Sequence, residues 1–131
     1  MILGTGVDII ELDRIERLIE GTSTLDRIFA EGEVDACRAE GFSSKRTVSR
    51  LAGLFAAKEA VMKALGTGWT RGVAFSDIRI THTPAGQPQA ALFGKTAEIA
   101  ASMGVERILV SISHCRTYAV AFALLEGSKG G

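Results

Sequence analysis

Cysteine is scarce in this chain: two residues in 131, Cys37 and Cys115, with neither CxxC spacing nor the density of a disulfide scaffold. That scarcity excludes a stapled secreted domain and makes reduced thiols in the cytoplasm the expectation. Histidine is as thin. His82 and His114 lack suitable cysteine or histidine neighbours, which excludes a zinc site and leaves a hard cation held by oxygen as the available metal chemistry. Net charge is absent as well, with 15 basic against 15 acidic residues, so no global field recruits nucleic acid or an anionic membrane surface. An acidic partner must be met by a local patch. No uncharged apolar run approaches a membrane span. The opening Met1-Ile-Leu-Gly-Thr-Gly-Val-Asp8 has no basic lead and carries a carboxylate within its apolar run, so it does not read as a signal peptide.

What the chain has is apolar residues, 47% of the total, enough for one globular domain with a sizeable core. We expect a single domain over 1–126 and a frayed tail over 127–131, Gly-Ser-Lys-Gly-Gly. The dominant element is a helix starting near Lys45 and ending at Leu65, with an N-cap in Phe42-Ser43-Ser44 and a left-handed C-cap at Gly66. From Arg50 to Leu65 its apolar positions leave no wide polar face, the pattern of a helix enclosed by its domain. Glu59 and Lys63 break that pattern together. Four residues apart, they project from one side, so a carboxylate and an ammonium share a narrow site. An intrahelical ion pair is one reading; a site for a metal or charged ligand is the other, favoured by Ala56, Ala57, Ala60 and Ala64 around the charges, by Lys58, and by Gly66 and Gly68 beyond.

Ile2 to Ile10 reads as a buried strand whose glycines, Gly4 and Gly6, permit close backbone approach. Asp8 near its end suits a helix N-cap or a site carboxylate. Glu11 to Glu20 is helical, with Leu12, Ile15, Leu18 and Ile19 on one side and Arg14 and Arg17 exposed. Short helices are expected over 25–29 and 33–38, strands over 73–83 and 89–93 around a turn at 83–88, a helix over 95–103, and strands over 107–113 and 118–125. Together they make an α+β domain with a mainly antiparallel sheet packed on one long helix.

Two phosphate-site lookalikes fail. Gly94-Lys95-Thr96 lacks the glycine a P-loop needs five positions earlier, where Gln89 stands; Gly4-Thr-Gly6 lacks the third glycine and the βαβ context of a dinucleotide fingerprint.

Gly6-Val-Asp8-Ile9, the run Phe55-Ala-Ala-Lys-Glu-Ala-Val-Met-Lys-Ala64 preceded by Leu51-Ala-Gly, and the late Ser111-Ile-Ser-His114 together resemble the holo-acyl-carrier-protein synthases, the small phosphopantetheinyl transferases. The match covers nearly the whole chain. The resemblance implies the 4'-phosphopantetheinyl transferase-like fold. It also implies transfer of the phosphopantetheine arm from coenzyme A to a serine of an apo-acyl carrier protein, releasing adenosine 3',5'-bisphosphate. By that match Asp8 and Glu59 hold Mg²⁺, Glu59 is also the general base, directly or through water, and Lys63 neutralises phosphate charge. The resemblance further implies that Ser113 and His114 contact coenzyme A, with the Gly66–Gly68 loop and the Gly86–Pro88 turn shaping its pocket. Arg14 and Arg17 dock the acidic carrier, the alternative being a solvated helix side; Lys58 is either a structural ion pair or a ligand contact. Members of this length are similar in forming homotrimers with active sites between subunits.

The chain departs from its relatives' pattern in two places: Cys115 follows the late histidine, and His82-Thr83 and Gln87 occupy the hairpin segment of a chain that contains no asparagine. A non-catalytic coenzyme A or nucleotide-binding trimeric module, or a structural domain in which Glu59 and Lys63 merely pair, are the competing expectations.

Overall fold

A row of small residues seats the long helix. The computed structural model of the chain describes residues 1–20, 22–41, 44–67 and 72–128. Its elements are β1 (Ile2–Glu11), α1 (Leu12–Ile19), α2 (Thr22–Ile28), α3 (Glu31–Glu40), α4 (Lys45–Leu65), a 3₁₀ turn (Phe75–Asp77), β2 (Ile78–His82), β3 (Pro88–Leu92), α5 (Gly94–Ser102), β4 (Val105–His114) and β5 (Tyr118–Gly127). Five antiparallel strands form one sheet in the order β1-β5-β4-β3-β2, with α4 across it.

Helix α4 has the expected bounds, for local reasons. The Ser44 hydroxyl accepts the Thr47 N–H at 3.1 Å, and Gly66 turns left-handed at φ 75°, its N–H closing on Met62 and Lys63 carbonyls. Between those ends nearly every side chain from Leu51 to Leu65 is buried. The close seat comes from Gly4 and Gly6 of β1 and from Ala119, Ala121 and Ala123 of β5, all three buried. A Cβ on Gly6 would lie 2.0 Å from the Ala60 carbonyl oxygen, and one on Gly4 would lie 2.3 Å from that of Ala64. Because side chains alternate along a strand, the opposite face of β1, β5 and β4 shows Val7, Ile9, Leu109, Tyr118, Val120 and Phe122 to the outside.

Two expectations shift. The stretch 73–83 is not one strand: Asp77 N–H bonds back to the Ala74 carbonyl in a 3₁₀ turn, and the strand begins only at Ile78. That turn serves α5. The Asp77 carbonyl accepts the Phe93 N–H at 2.8 Å, and its carboxylate accepts the Thr96 hydroxyl at 3.3 Å, so Gly94-Lys95-Thr96 is a buttressed helix start. Gly127, expected in the tail, belongs to β5; its N–H bonds to the Met1 carbonyl at 3.0 Å, while Ser128 reaches Gly104 and Glu106. The rest of the tail, 129–131, lies outside the described residues, as do Phe42, Ser43 and Gly68. Cys37 and Cys115 form no disulfide with each other, being buried on α3 and exposed after β4 respectively.

Candidate active site

Strand β1, held against α4 by its glycines, delivers Asp8 to the turn of helix that carries Glu59 and Lys63. Lys63 Nζ donates to Asp8 Oδ1 at 3.0 Å and to the Val7 carbonyl at 3.0 Å. The ammonium thus engages Asp8 across elements, where the sequence spacing pointed to its helical neighbour Glu59. Glu59 is half-buried, and its carboxyl is pushed above the ordinary carboxylate range by burial and by the negative charge of Asp8, opposed by Lys63 and Arg14. Asp8 is not a helix cap: it pairs with Ala121 inside the sheet, and α1 starts four residues later, after Glu11.

A pair of crowded carboxylates favours a cation. Among the described residues no group of three His, Cys, Asp or Glu side chains gathers to hold a metal. Two hard oxygen donors do fit Mg²⁺, which takes one or two carboxylates and completes its shell with water and phosphate. The sign for stability follows from the raised carboxyl. Folding favours protonated Glu59, so its stabilising share is present below the ordinary carboxylate range and lost as pH rises through the elevated value. Without metal, Glu59→Gln should therefore melt above the parent near neutral pH, and the gap should close in acid. Identical melting curves at neutral pH would contradict the crowding.

Arg14 and Arg17 are both exposed on α1, as expected, and both line a small cleft of about 210 Å³ with Ile9, Ile10, Glu11 and Tyr118. Arg14 does more than face solvent. Its guanidinium lies over the Phe55 ring, 5.8 Å from the centroid and one helical turn from Glu59, adding a second cation beside the carboxylates. Lys58 goes the other way. About 100° around α4 from Glu59, it is wholly buried and pairs with Glu33 of α3 at 2.7 Å.

His114 lies elsewhere on the chain. It lines a cleft of about 660 Å³ with Lys45, Arg46, Arg50, His82 and the Gly86–Pro88 turn, and a second with Lys45, Cys115 and Arg116; neither includes Asp8, Glu59 or Lys63. The turn is shaped by Gly86 at φ 89° and by Thr83, whose N–H donates to the Gln87 carbonyl and whose hydroxyl accepts the Gln87 N–H. Ser113 and His114 point to opposite sides of the sheet, Ser113 joining Val120 and Phe122 on the apolar face. Gly66 is placed by its role as the cap of α4. The cations of the first of these clefts escaped the sequence reading, although Arg46, Ser49, Arg50 and Gly53 follow the i, i+3, i+4, i+7 spacing of one helix face.

Comparison with known proteins gives these features a family. The profile of the 4'-phosphopantetheinyl transferase superfamily matches residues 4–123. The holo-[acyl-carrier-protein] synthase of Koribacter versatilis is 43% identical over 128 residues, 96% of this chain and 99% of its own. Among solved structures, the holo-(acyl-carrier-protein) synthase of Bacillus anthracis in complex with CoA (3',5'-ADP) is 38% identical at a TM-score of 0.78, covering 98% of this chain and 99% of its own. That of Neisseria meningitidis is 34% identical at 0.85, with 96% and 99% covered. A full-length match with the same sheet and helix means that this chain belongs to the holo-[acyl-carrier-protein] synthases of the 4'-phosphopantetheinyl transferase superfamily.

Proposed function

We propose that the chain transfers 4'-phosphopantetheine from coenzyme A to a serine of apo-acyl carrier protein, in a Mg²⁺-dependent reaction that leaves adenosine 3',5'-bisphosphate. The observation that carries this reading is the meeting of Asp8 and Glu59 beside Lys63, two carboxylates and an ammonium gathered from two elements. A binder of coenzyme A alone has no use for carboxylates beside a pyrophosphate, whereas phosphoryl transfer does. Asp8 and Glu59 would hold Mg²⁺, which supplies charge neutralisation at the pyrophosphate when bound. Glu59 accepts the proton of the attacking serine hydroxyl, directly or through water, as the serine Oγ–P bond forms and the pyrophosphate P–O bond breaks. Lys63 sits where it can offset charge on the leaving bisphosphate.

The basic cleft of Lys45, Arg46, Arg50, His82 and His114 takes the nucleotide end of coenzyme A in this reading; Ser113, on the opposite face of the sheet, and Gly66, at the far end of α4, lie outside its lining. Arg14 and Arg17 receive the acidic carrier next to the carboxylates. The nucleotide cleft and the carboxylate cluster occupy separate places on one chain, which supports active sites completed between neighbouring subunits of a homotrimer. The outer sheet face fits that assembly: Ile9 is 63% exposed and Phe122 43%, a contiguous apolar surface on β1 and β5. Phe122→Glu should reduce the mass seen by light scattering and lower activity about tenfold or more while unfolding stays cooperative. An unchanged mass would remove that face as the interface. A compartment with reduced thiols and coenzyme A, the cytoplasm, fits both.

The test of function mixes the protein, coenzyme A, Mg²⁺ and an apo-carrier protein and follows the carrier by mass spectrometry. A phosphopantetheine adduct that vanishes with a chelator is expected. No adduct under any divalent ion would favour the alternative, a coenzyme A-binding module without chemistry.

A further inference from the structure

Beside Glu59, on the preceding position of α4, a charge is buried that the proposed chemistry does not use. Lys58 Nζ is enclosed by three elements: it pairs with Glu33 Oε1 of α3 at 2.7 Å, donates to the Phe75 carbonyl of the 3₁₀ turn at 3.0 Å, and donates to the Ile78 carbonyl of β2. Glu33 is held as fully. Its Oε1 accepts the Ala30 N–H at 2.7 Å, and its Oε2 accepts the Ile80 N–H at 2.9 Å. Burial draws the Lys58 ammonium down in pKa while Glu33 holds it up. Such a pair is weak as a source of stability, since a buried ion pair replaced by well-packed apolar groups often leaves a protein as stable or more so.

What the pair does specify is geometry. Helix α4 is apolar nearly all round and faced by small side chains, so packing alone sets its rotation about its axis only loosely. Three directional acceptors fix the direction of Lys58, and through the helix they fix that of Glu59, about 100° away. From the other side Gly4 and Gly6 fix the distance to β1 and hence to Asp8. The same bonds anchor β2, whose end carries His82 in the nucleotide cleft.

We infer that the Lys58–Glu33 pair is a positioning device that sets the rotation of α4 and so the placement of the Glu59 carboxylate for transfer. It acts through Glu59, and thus rests on the role proposed for that residue.

The experiment compares the parent with the apolar double variant Lys58→Met/Glu33→Leu, with Glu33→Gln, and with Glu59→Gln as the control for the underlying role. Thermal unfolding and steady-state kinetics are measured on each. The double variant should unfold cooperatively while kcat falls about tenfold or more, since an ångström of misplacement costs up to about a hundredfold, and KM for coenzyme A should stay within about twofold. Glu33→Gln, which keeps an acceptor oxygen for only one of the Ala30 and Ile80 amides, should show a smaller fall of the same kind. A folded double variant or Glu33→Gln with the parent's kcat would overturn the inference. So would loss of cooperative unfolding in both, which would make the pair a condition of folding. Parent-like activity in Glu59→Gln would instead remove the role on which the inference stands.

Discussion

Glu59→Gln should lower carrier modification by about a thousandfold while leaving a protein that melts no lower than the parent, because one substitution removes both the oxygen proposed to bind metal and the proposed proton acceptor. The amide is nearly isosteric. It also relieves the crowding with Asp8 that raises the Glu59 carboxyl, so the stability gain and the activity loss have one cause. Asp8→Asn should share the first effect, with a smaller loss if proton transfer stays with Glu59. Measured by the carrier's mass at saturating coenzyme A, a Glu59→Gln rate within tenfold of the parent would leave Glu59 as a bystander.

Gly6→Ala should be among the most damaging single methyl additions to the described residues. The added Cβ would meet the Ala60 carbonyl oxygen at 2.0 Å and the Ala64 amide nitrogen at 2.7 Å, both backbone atoms that no rotamer change can move. Strand β1 has to lift off α4, costing about 3 kcal/mol or more by the usual scale of overpacking. For a chain of this size that is a fall of roughly 10 °C in Tm. Asp8, two residues along the strand, moves with it, so activity should drop by about tenfold or more even in the folded fraction. Gly32→Ala is the control. Nothing lies within 4 Å of its added Cβ, and stability should be unchanged or slightly higher. Equal stability of Gly6→Ala and Gly32→Ala would mean that the strand is not seated as described.

These two residues also mark how far the sequence could be read. The ends of α4 are local events, a Ser44 hydroxyl on an amide and a glycine at positive φ, and local events leave a local signature. Gly4 and Gly6, spaced two apart in a strand, announced a close neighbour without saying which. That Ala60 and Ala64 are that neighbour depends on a packing between segments more than fifty residues apart, and the adjacency of Asp8 and Glu59 came from the family resemblance alone. Lys63 shows the limit. Spacing of four pointed to Glu59, yet its ammonium bonds to Asp8, because a long flexible side chain selects the carboxylate that tertiary packing brings within reach.

Residues 73–83 misled for a related reason. Their alternation suits a strand, but Asp77 bonds to Phe93 and Thr96 bend the segment into a 3₁₀ turn before β2, and those partners lie sixteen and nineteen positions on. The cleft formed by Arg46, Arg50, His82 and His114 joins one helix face, a hairpin turn and the end of β4, so no single window of sequence contains it. Lys58 was legible only as an ambiguity, and burial against Glu33 resolves it as structural.

A crystal grown with coenzyme A and with Mn²⁺ in place of Mg²⁺ would test the shared-cation site most directly, through the anomalous signal of the ion. One ion is expected to touch an oxygen of Asp8 and an oxygen of Glu59, each at about 2.2 Å, with the pyrophosphate on its open side. An ion bound away from that pair, or held by only one of the two carboxylates, would contradict it.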